Sequence, residues 1–289
     1  MKEDTAEHFV FERDGCPIHC WLIGDTQRPL VTFIHGAGAD HHIFDPQIAA
    51  VATFFCVLLW DLRGQGKSQP APTAFSISDC VEDLTTILNY LGHAQTSIVG
   101  VSLGGTIAQE VVLRFPERVT SLVVIGTVCN TVGLTPLTHL MLRIFMLFVD
   151  HAPIKAIRLV HSFFASVKRH VRSYVYQAFL QVSEESYRQI WQAFNELFYR
   201  TTIPSDYRIT HPLLLLRGQY DNIWNQQLMA SWARREPDCR YIVLPKAGHL
   251  VNWDEACQFN RILIDFLLDC EARQTMNICE LGEKKHRND

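Results

Sequence analysis

The chain has 289 residues, of which 48% are hydrophobic and 19% charged, and a formal net charge of −4. This balance is ordinary for a globular protein and excludes a disordered or collagen-like chain. Lys and Arg form no sustained basic stripe apart from a KKHR run near the C-terminus, so nothing favours nucleic acid binding. A small molecule is the expected partner, and a homodimer is compatible with these properties.

The N-terminal residues lack the apolar core of a secretory signal. The most apolar stretch, residues 137–149, is interrupted by His139 and Arg143 and is too short to span a bilayer. Nine scattered cysteines without a CxxC pair are typical of thiols in a reducing compartment rather than of a metal or redox site. The sequence therefore predicts a cytoplasmic protein with no membrane span.

The first predicted elements are a strand pair. Residues 9–13 and 18–23 alternate in polarity around Asp14-Gly15, which predicts an antiparallel hairpin. Nearly all-apolar runs follow, as expected for strands buried on both faces of a parallel sheet. These runs are 30–34, 54–60, 97–101, 122–125, 213–216 and 241–244. Helical spacing between several of them predicts an α/β fold with a mostly parallel, doubly wound sheet.

The strand pattern is interrupted between residues 128 and 206. Apolar and aromatic residues there have helix-like spacing in the segments 137–149, 154–164, 171–182 and 187–198. An insertion of this kind predicts a helical cap over the carboxyl edge of the sheet, where open α/β sheets bind ligands. The predicted domains are a core of residues 1–127 and 207–270, a cap of residues 128–206, and a polar C-terminal tail of residues 271–289.

Ser102 is the candidate nucleophile. It lies in the pattern Gly100-Val101-Ser102-Leu103-Gly104, directly after a buried run and before a helical pattern. A nucleophile elbow requires this context, because glycines beside the serine let the strand and the helix approach closely enough to push its hydroxyl outward.

The loop His35-Gly36-Ala37-Gly38 follows the run 30–34. Acyl transfer needs backbone N–H groups that stabilise negative charge on the carbonyl oxygen, and the candidates are those of Ala37 and Leu103. A simple glycine turn that ends a strand would give the same pattern, and His35 is predicted to fix this loop.

A triad also needs an acid and a base after the serine. His249 follows the last strand-like run and Asp221 follows the run 213–216, so both are predicted at the same sheet edge as Ser102. Asp254 and Glu255 come at the start of the final helical pattern, where their charges favour a helix N-terminus.

Two other motifs are weighed against structural roles. Residues 61–68, DLRGQGKS, lack the GxxxxGK[ST] pattern of a phosphate loop and are predicted to form a tight surface loop with a structural role. His35, His41 and His42 lack the spacing of metal ligands, so no metal site is predicted.

Taken together, HGAG, DLRGQGKS, GVSLGGTIAQE, LRGQYD and AGHLVNWDEACQFNRILIDFL resemble the α/β-hydrolase family in order and separation. The resemblance covers about residues 9–270 outside the cap. It implies Ser102, Asp221 and His249 as the triad, with Ala37 and Leu103 as oxyanion donors. A serine nucleophile is unlike that of the dehalogenases and epoxide hydrolases of the family, which use aspartate.

The predicted function is hydrolysis of a small, largely apolar ester or lactone, without a cofactor. Substrate contacts are expected from Gly36, Phe145, Trp224 and Leu250, although Trp224 could instead pack under the cap. The final motif also resembles that of meta-cleavage carbon–carbon hydrolases, and an arginine at 143 or 158 in the pocket would favour that alternative. Two further alternatives are a slow, hydrolase-like ligand receptor and a purely structural protein.

The cap sequence predicts an apolar wall facing the active site. Its candidate residues are Leu137, Leu140, Met141, Phe145, Met146 and Phe148. The alternative for each is a contact only between cap helices.

Overall fold

An eight-stranded sheet is the centre of the structure, a computed structural model that describes residues 6–69, 71, 73–130, 136–197, 207–236 and 238–286. In chain order the strands are β1 (Ala6–Arg13), β2 (Cys16–Ile23), β3 (Leu30–Ile34), β4 (Cys56–Trp60), β5 (Thr96–Val101), β6 (Val119–Ile125), β7 (Leu213–Gly218) and β8 (Cys239–Leu244).

Helices connect most of these strands. Those in the described ranges are α1 (Asp45–Val51), α2 (Ile77–Tyr90), α3 (Leu103–Arg114), α4 (Pro136–His151), α5 (Ile154–Ala165), α6 (Arg169–Gln181), α7 (Glu184–Leu197), α8 (Ile223–Arg235), α9 (Val251–Asp254) and α10 (Ala256–His286). Short 3₁₀ turns lie at His41–Phe44 and Pro116–Arg118. Helix α2 packs against α3 and α1 packs against α10, which gives the sheet its helical layers. Within the described ranges, no helix is both long enough and apolar enough to cross a membrane.

The predicted hairpin is confirmed, and so are the predicted buried strands except the last, because residues 241–244 lie in β8, where Val243 is 38% exposed. The turn residues Asp14 and Gly15 have φ angles of 52° and 72°, which match the primed turn that a two-residue hairpin prefers. Strands β3, β4 and β5 are buried along their whole length, as their unbroken apolar runs predicted. The sheet is therefore an α/β sheet whose centre is covered on both faces.

The strand order places a crevice beside β3. The order across the sheet is β1-β2-β4-β3-β5-β6-β7-β8. Strand β2 is antiparallel to both of its neighbours, β1 and β4, and every other neighbouring pair is parallel. The chain moves from β3 outward to β4 and then crosses back to β5 on the other side. Loops that leave the carboxyl ends of β3 and β5 therefore diverge, which is the usual place for a ligand in an open α/β sheet.

Helices α4–α7, called the inserted helices below, lie between β6 and β7 in the chain, where the sequence predicts a cap. Parts of that prediction, residues 131–135 and 198–206, lie outside the described residues. Helix α10 runs through residue 271, so the predicted tail continues this helix as far as His286. The division into core, cap and tail domains stays a prediction.

A buried ion pair fixes the loop of residues 61–68 to α2. Arg63 donates to Asp83 from Nε (2.8 Å) and from Nη2 (2.6 Å), and the two side chains are 1% and 0% exposed. Arg13 of β1 adds a third contact, from Nη1 to Asp83 Oδ1 at 2.9 Å. These contacts agree with the structural role that the sequence predicts for this loop. The predicted surface position is wrong, because Asp61, Arg63 and Gln65 are at most 1% exposed.

We expect Arg63→Ala to lower the free energy of unfolding by about 3–5 kcal/mol, because it leaves a buried carboxylate with one partner fewer. Chemical denaturation measures this loss. Arg114→Ala is the matched control, since its pair with Glu82 is 34% and 41% exposed and should contribute about 0–1 kcal/mol. Equal losses in the two variants would contradict the structural role of Arg63.

Candidate active site

Ser102 occupies the turn between β5 and α3 with a strained backbone. Its φ and ψ angles are 53° and −120°, a combination that non-glycine residues rarely adopt. The Ser102 N–H donates to Ile125 O at 2.8 Å, and Thr127 Oγ1 donates to Ser102 O at 2.6 Å. Two hydrogen bonds from the end of β6 thus hold the turn in this conformation.

Close backbone contacts explain the glycines on both sides of Ser102. A Cβ atom at Gly100 would overlap the carbonyl group of Gly104, and a Cβ atom at Gly104 would overlap the carbonyl oxygen of Ile34. The first turn of α3 therefore packs directly against the ends of β5 and β3. The sequence predicted this close approach from the spacing of the glycines.

The loop after β3 is held by the loop after β4. Gln65 Oε1 accepts a hydrogen bond from Gly38 N at 2.6 Å, and His35 Nε2 accepts one from Leu62 N at 2.9 Å. His35 Nδ1 lies 2.9 Å from Gly36 O, and burial lowers the pKa of His35, so its ring is neutral and donates from Nδ1. His35 thus has the loop-fixing position that the sequence predicts.

His249 and Asp221 meet at the carboxyl edge of the sheet. His249 Nδ1 lies 3.1 Å from Asp221 Oδ1, and this carboxylate also accepts from Asn222 N at 2.7 Å. Burial alone would lower the pKa of His249, but the charge and hydrogen bond of Asp221 offset burial and raise it. Burial alone would raise the pKa of Asp221, but His249 and the Asn222 amide lower it. The contact favours a proton on Nδ1 and leaves Nε2 as an acceptor.

Gly126 and Asn225 complete the surroundings of His249, and the sequence analysis did not identify them. Gly126 has a φ of 57°, and a Cβ atom there would lie 2.8 Å from His249 Cε1. Asn225 Nδ2 donates to Gly126 O at 3.0 Å and lies 3.3 Å from both Asp221 oxygens. The glycine after β6 was a sequence signal for Gly126, whereas no local sequence pattern indicates Asn225.

The predicted role of Asp254 at a helix N-terminus is wrong. Asp254 ends α9 and is 1% exposed, and its Oδ2 accepts from Gly248 N at 2.8 Å and from Val167 N at 3.2 Å. Ser166 Oγ donates to its other oxygen. The carboxylate therefore joins the loop of residues 245–250, called the His249 loop below, to the segment after α5. Its oxygens accept from these groups instead of from the N–H groups at the start of α10.

A cavity of about 680 Å³ lies between this sheet edge and the inserted helices. Ser102 and His249 both line it, as does Ala37, while Leu103, the residue after Ser102, is buried and is not among the lining residues. All four predicted substrate contacts also line it, namely Gly36, Phe145, Trp224 and Leu250. The structure thus brings the predicted nucleophile, base and substrate contacts to one cavity. A substrate contact by Trp224 stays a prediction.

Most of the cavity wall is apolar, but the predicted wall residues divide into different groups. Met141 and Phe145 line the cavity. Leu137 and Leu140 are 61% and 54% exposed, so the prediction that they face the active site is wrong. Met146 is buried and Phe148 is partly buried, and neither is among the lining residues.

Neither Arg143 nor Arg158 is among the described residues that line the cavity. Arg143 is exposed, and the buried Arg158 donates to Val182 O in the inserted helices.

Trp253 is also absent from the lining, because its Nε1 donates to Ile43 O at 2.6 Å and its ring stacks on Tyr174. In the part of the chain that the structure describes, no group of three or more His, Cys, Asp or Glu side chains could hold a metal ion.

A family model described as the alpha/beta hydrolase fold matches residues 29–256. The chain belongs to the α/β-hydrolase family. It is 24% identical over 270 residues to a 2-(acetamidomethylene)succinate hydrolase of Mesorhizobium japonicum, and this match covers 87% of this chain and 93% of that protein. It is also 24% identical over 259 residues to 3-oxoadipate enol-lactonase 2 of Acinetobacter baylyi, covering 82% and 88%.

Solved α/β-hydrolase structures share the fold. An enol-lactonase from Burkholderia xenovorans superposes with a TM-score of 0.77 at 20% identity, and the match covers 90% of this chain and 100% of the enol-lactonase. An esterase from Thermogutta terrifontis also has a TM-score of 0.77, at 21% identity, covering 92% and 99%. The two relatives named above are hydrolases, and the family match shows that this chain belongs to the same fold family.

We expect Asp254→Ala to lower the free energy of unfolding by about 2–4 kcal/mol, because it leaves several buried donors without an acceptor. Glu255→Ala removes the neighbouring acid and should change stability by less than about 0.5 kcal/mol. Urea denaturation of both variants tests the assignment. Losses of similar size would instead support a shared charge effect on the last helix.

Proposed function

We propose that this α/β hydrolase is a serine esterase or lactonase that acts through an acyl-enzyme on Ser102. The observation that carries the proposal is the Asp221–His249 contact at the same cavity as the strained Ser102 turn. A nucleophile, an oriented base and a buried acid at one cavity are the parts that this mechanism requires.

In the first step Ser102 Oγ attacks the substrate carbonyl while His249 Nε2 accepts the serine proton. Asp221 holds the imidazole in the required tautomer and stabilises its positive charge. When the tetrahedral intermediate collapses, His249 returns the proton to the leaving alcohol oxygen and the acyl group stays on Ser102. Water, deprotonated by His249, then attacks the acyl-enzyme, and when this second tetrahedral intermediate collapses His249 returns the proton to Ser102 Oγ as the acid leaves.

The oxyanion donors in this proposal are the N–H groups of Ala37 and Leu103. Leu103 is the first residue of α3, where a backbone N–H has no partner within the helix. The N–H groups of the two residues after Ala37 are already in hydrogen bonds, since Gly38 donates to Gln65 and Ala39 donates to Gly36 O at 3.2 Å. The loop is thereby held in place before the substrate arrives, which is what electrostatic preorganisation requires.

The composition of the wall supports a small, largely apolar substrate. The cavity volume of about 680 Å³ suits a ligand of moderate size. Side chains such as Val175, Phe179 and Leu228 offer apolar contact rather than recognition of sugars or peptides. Because no arginine is among the described lining residues, no specific observation favours the carbon–carbon hydrolase alternative.

Hydrolysis of a p-nitrophenyl ester series from acetate to laurate tests the proposed chemistry. We expect Ser102→Ala to lower kcat by at least about 10⁴-fold, because the nucleophile is lost. Ser173→Ala, at an exposed position of α6, is the matched control and should leave kcat unchanged. Turnover that persists in Ser102→Ala would refute the acyl-enzyme, and a single slow turnover with tight binding would support a ligand receptor.

The pH dependence tests the role of Asp221. His249 must be neutral to accept a proton and its pKa is raised above 6.5, so kcat/KM should rise with pH through a midpoint above that value. Asp221→Asn removes the charge that raises this pKa, so the midpoint should move to lower pH while kcat falls by about 10³–10⁴-fold. The control Asp238→Asn removes an exposed carboxylate and should leave the profile unchanged. An unshifted midpoint in Asp221→Asn would contradict the proposed pairing.

A further inference from the structure

Two of the inserted helices expose large apolar side chains to solvent. On α4 and α5 these residues are between 37% and 61% exposed, and we call them the apolar face: Leu137, Leu140, Ile144, Leu147, Leu159, Val160, Phe163 and Phe164. Single exposed apolar residues are ordinary, but a group on adjacent helices marks a contact surface.

The apolar face continues into the cavity at exposed lining residues, which we call the cavity mouth. Ile144, Val160 and Phe164 belong to the apolar face and also line the cavity. Ile223, at the start of α8, is 55% exposed and lines the same cavity. A ligand that leaves the apolar face can therefore reach the cavity without crossing a polar rim at these residues.

Basic side chains flank this surface although the whole chain has a net charge of −4. Lys155, Leu159 and Phe163 follow one another at intervals of four residues and share one side of α5. Arg143 lies three residues after Leu140 and four before Leu147, and both Arg143 and Lys155 are exposed. The guanidinium group of Arg172 lies 4.4 Å from the ring centroid of Phe163. Asp150 is the acidic residue within α4 and α5.

We propose that the apolar face docks on a lipid bilayer that contains anionic headgroups, with the cavity mouth turned toward the lipid. Apolar side chains flanked by Lys and Arg are the chemistry that binds such a surface. A second copy of this chain seated on the same face would cover the mouth through which the substrate enters. The consequence for substrate class, an ester or lactone that partitions into lipid, rests on the proposed function, whereas the docking itself does not.

Flotation of the full chain with phosphatidylcholine vesicles, with and without phosphatidylglycerol, tests the docking. We expect the wild type to bind vesicles that contain phosphatidylglycerol, and to bind less as salt increases. Arg143→Gln combined with Lys155→Gln should lower the partition coefficient by about 30-fold, given the attraction of each basic residue to an anionic surface. Leu140→Ser combined with Leu159→Ser should lower it by about tenfold or more.

Matched controls separate docking from folding and from catalysis. Val10→Ser combined with Leu268→Ser changes exposed apolar residues outside the inserted helices, and Arg261→Gln removes an exposed basic residue of α10. Both control variants should bind like the wild type. Ser102→Ala should also bind normally, so a failure of the serine chemistry would not resemble a failure of docking.

Several results would overturn the proposal. The first is absence of the wild type from vesicles of both compositions. The second is equal binding by the wild type and the Arg143→Gln and Lys155→Gln variant. The third is a dimer in sedimentation experiments that the Leu140→Ser and Leu159→Ser substitutions abolish, since the apolar face would then be an interface between copies.

Discussion

The close contact between the first turn of α3 and the end of β3 is the constraint on which the site depends. Gly104 lies so near the Ile34 carbonyl that no side chain fits between them, and a side chain at Gly100 would likewise overlap the carbonyl group of Gly104. Because β3 and β5 are adjacent and parallel, this contact brings the Ser102 turn beside the loop that carries Ala37. The strain at Ser102 is balanced by hydrogen bonds to residues at the end of β6.

Polar contacts between distant loops preserve that arrangement. Gln65 holds Gly38 from the loop after β4, and Asp254 joins Gly248 to Val167 after α5. A backbone hydrogen bond of 2.7 Å from Leu250 N to Ala165 O adds a second link between the His249 loop and the inserted helices. The loops at the sheet edge and the inserted helices, which form the two sides of the cavity, are therefore connected by hydrogen bonds. Removing one partner of a buried hydrogen bond costs the most stability, because the other partner is left unsatisfied.

The inserted helices have two apolar surfaces with different surroundings. One includes Met141 and Phe145 and faces the cavity, while the other includes Leu140 and Leu159 and faces solvent. A helix of a globular protein normally buries its apolar stripe and exposes its polar side. Part of this departure lies at residues that also line the cavity, namely Ile144, Val160 and Phe164, and it is the basis of the proposed membrane docking.

The sequence by itself determined the hairpin, the buried central strands and the turn at Ser102, because each depends on a pattern within a few residues. The Asp14-Gly15 turn and the glycines around Ser102 are local requirements of backbone conformation and close packing. Tertiary structure alone decided that Asp254 binds the His249 loop, that Asn225 lies beside Asp221, and that Leu137 and Leu140 face outward. These outcomes depend on which distant segments pack together, and helical periodicity identifies an apolar stripe without indicating what will cover it.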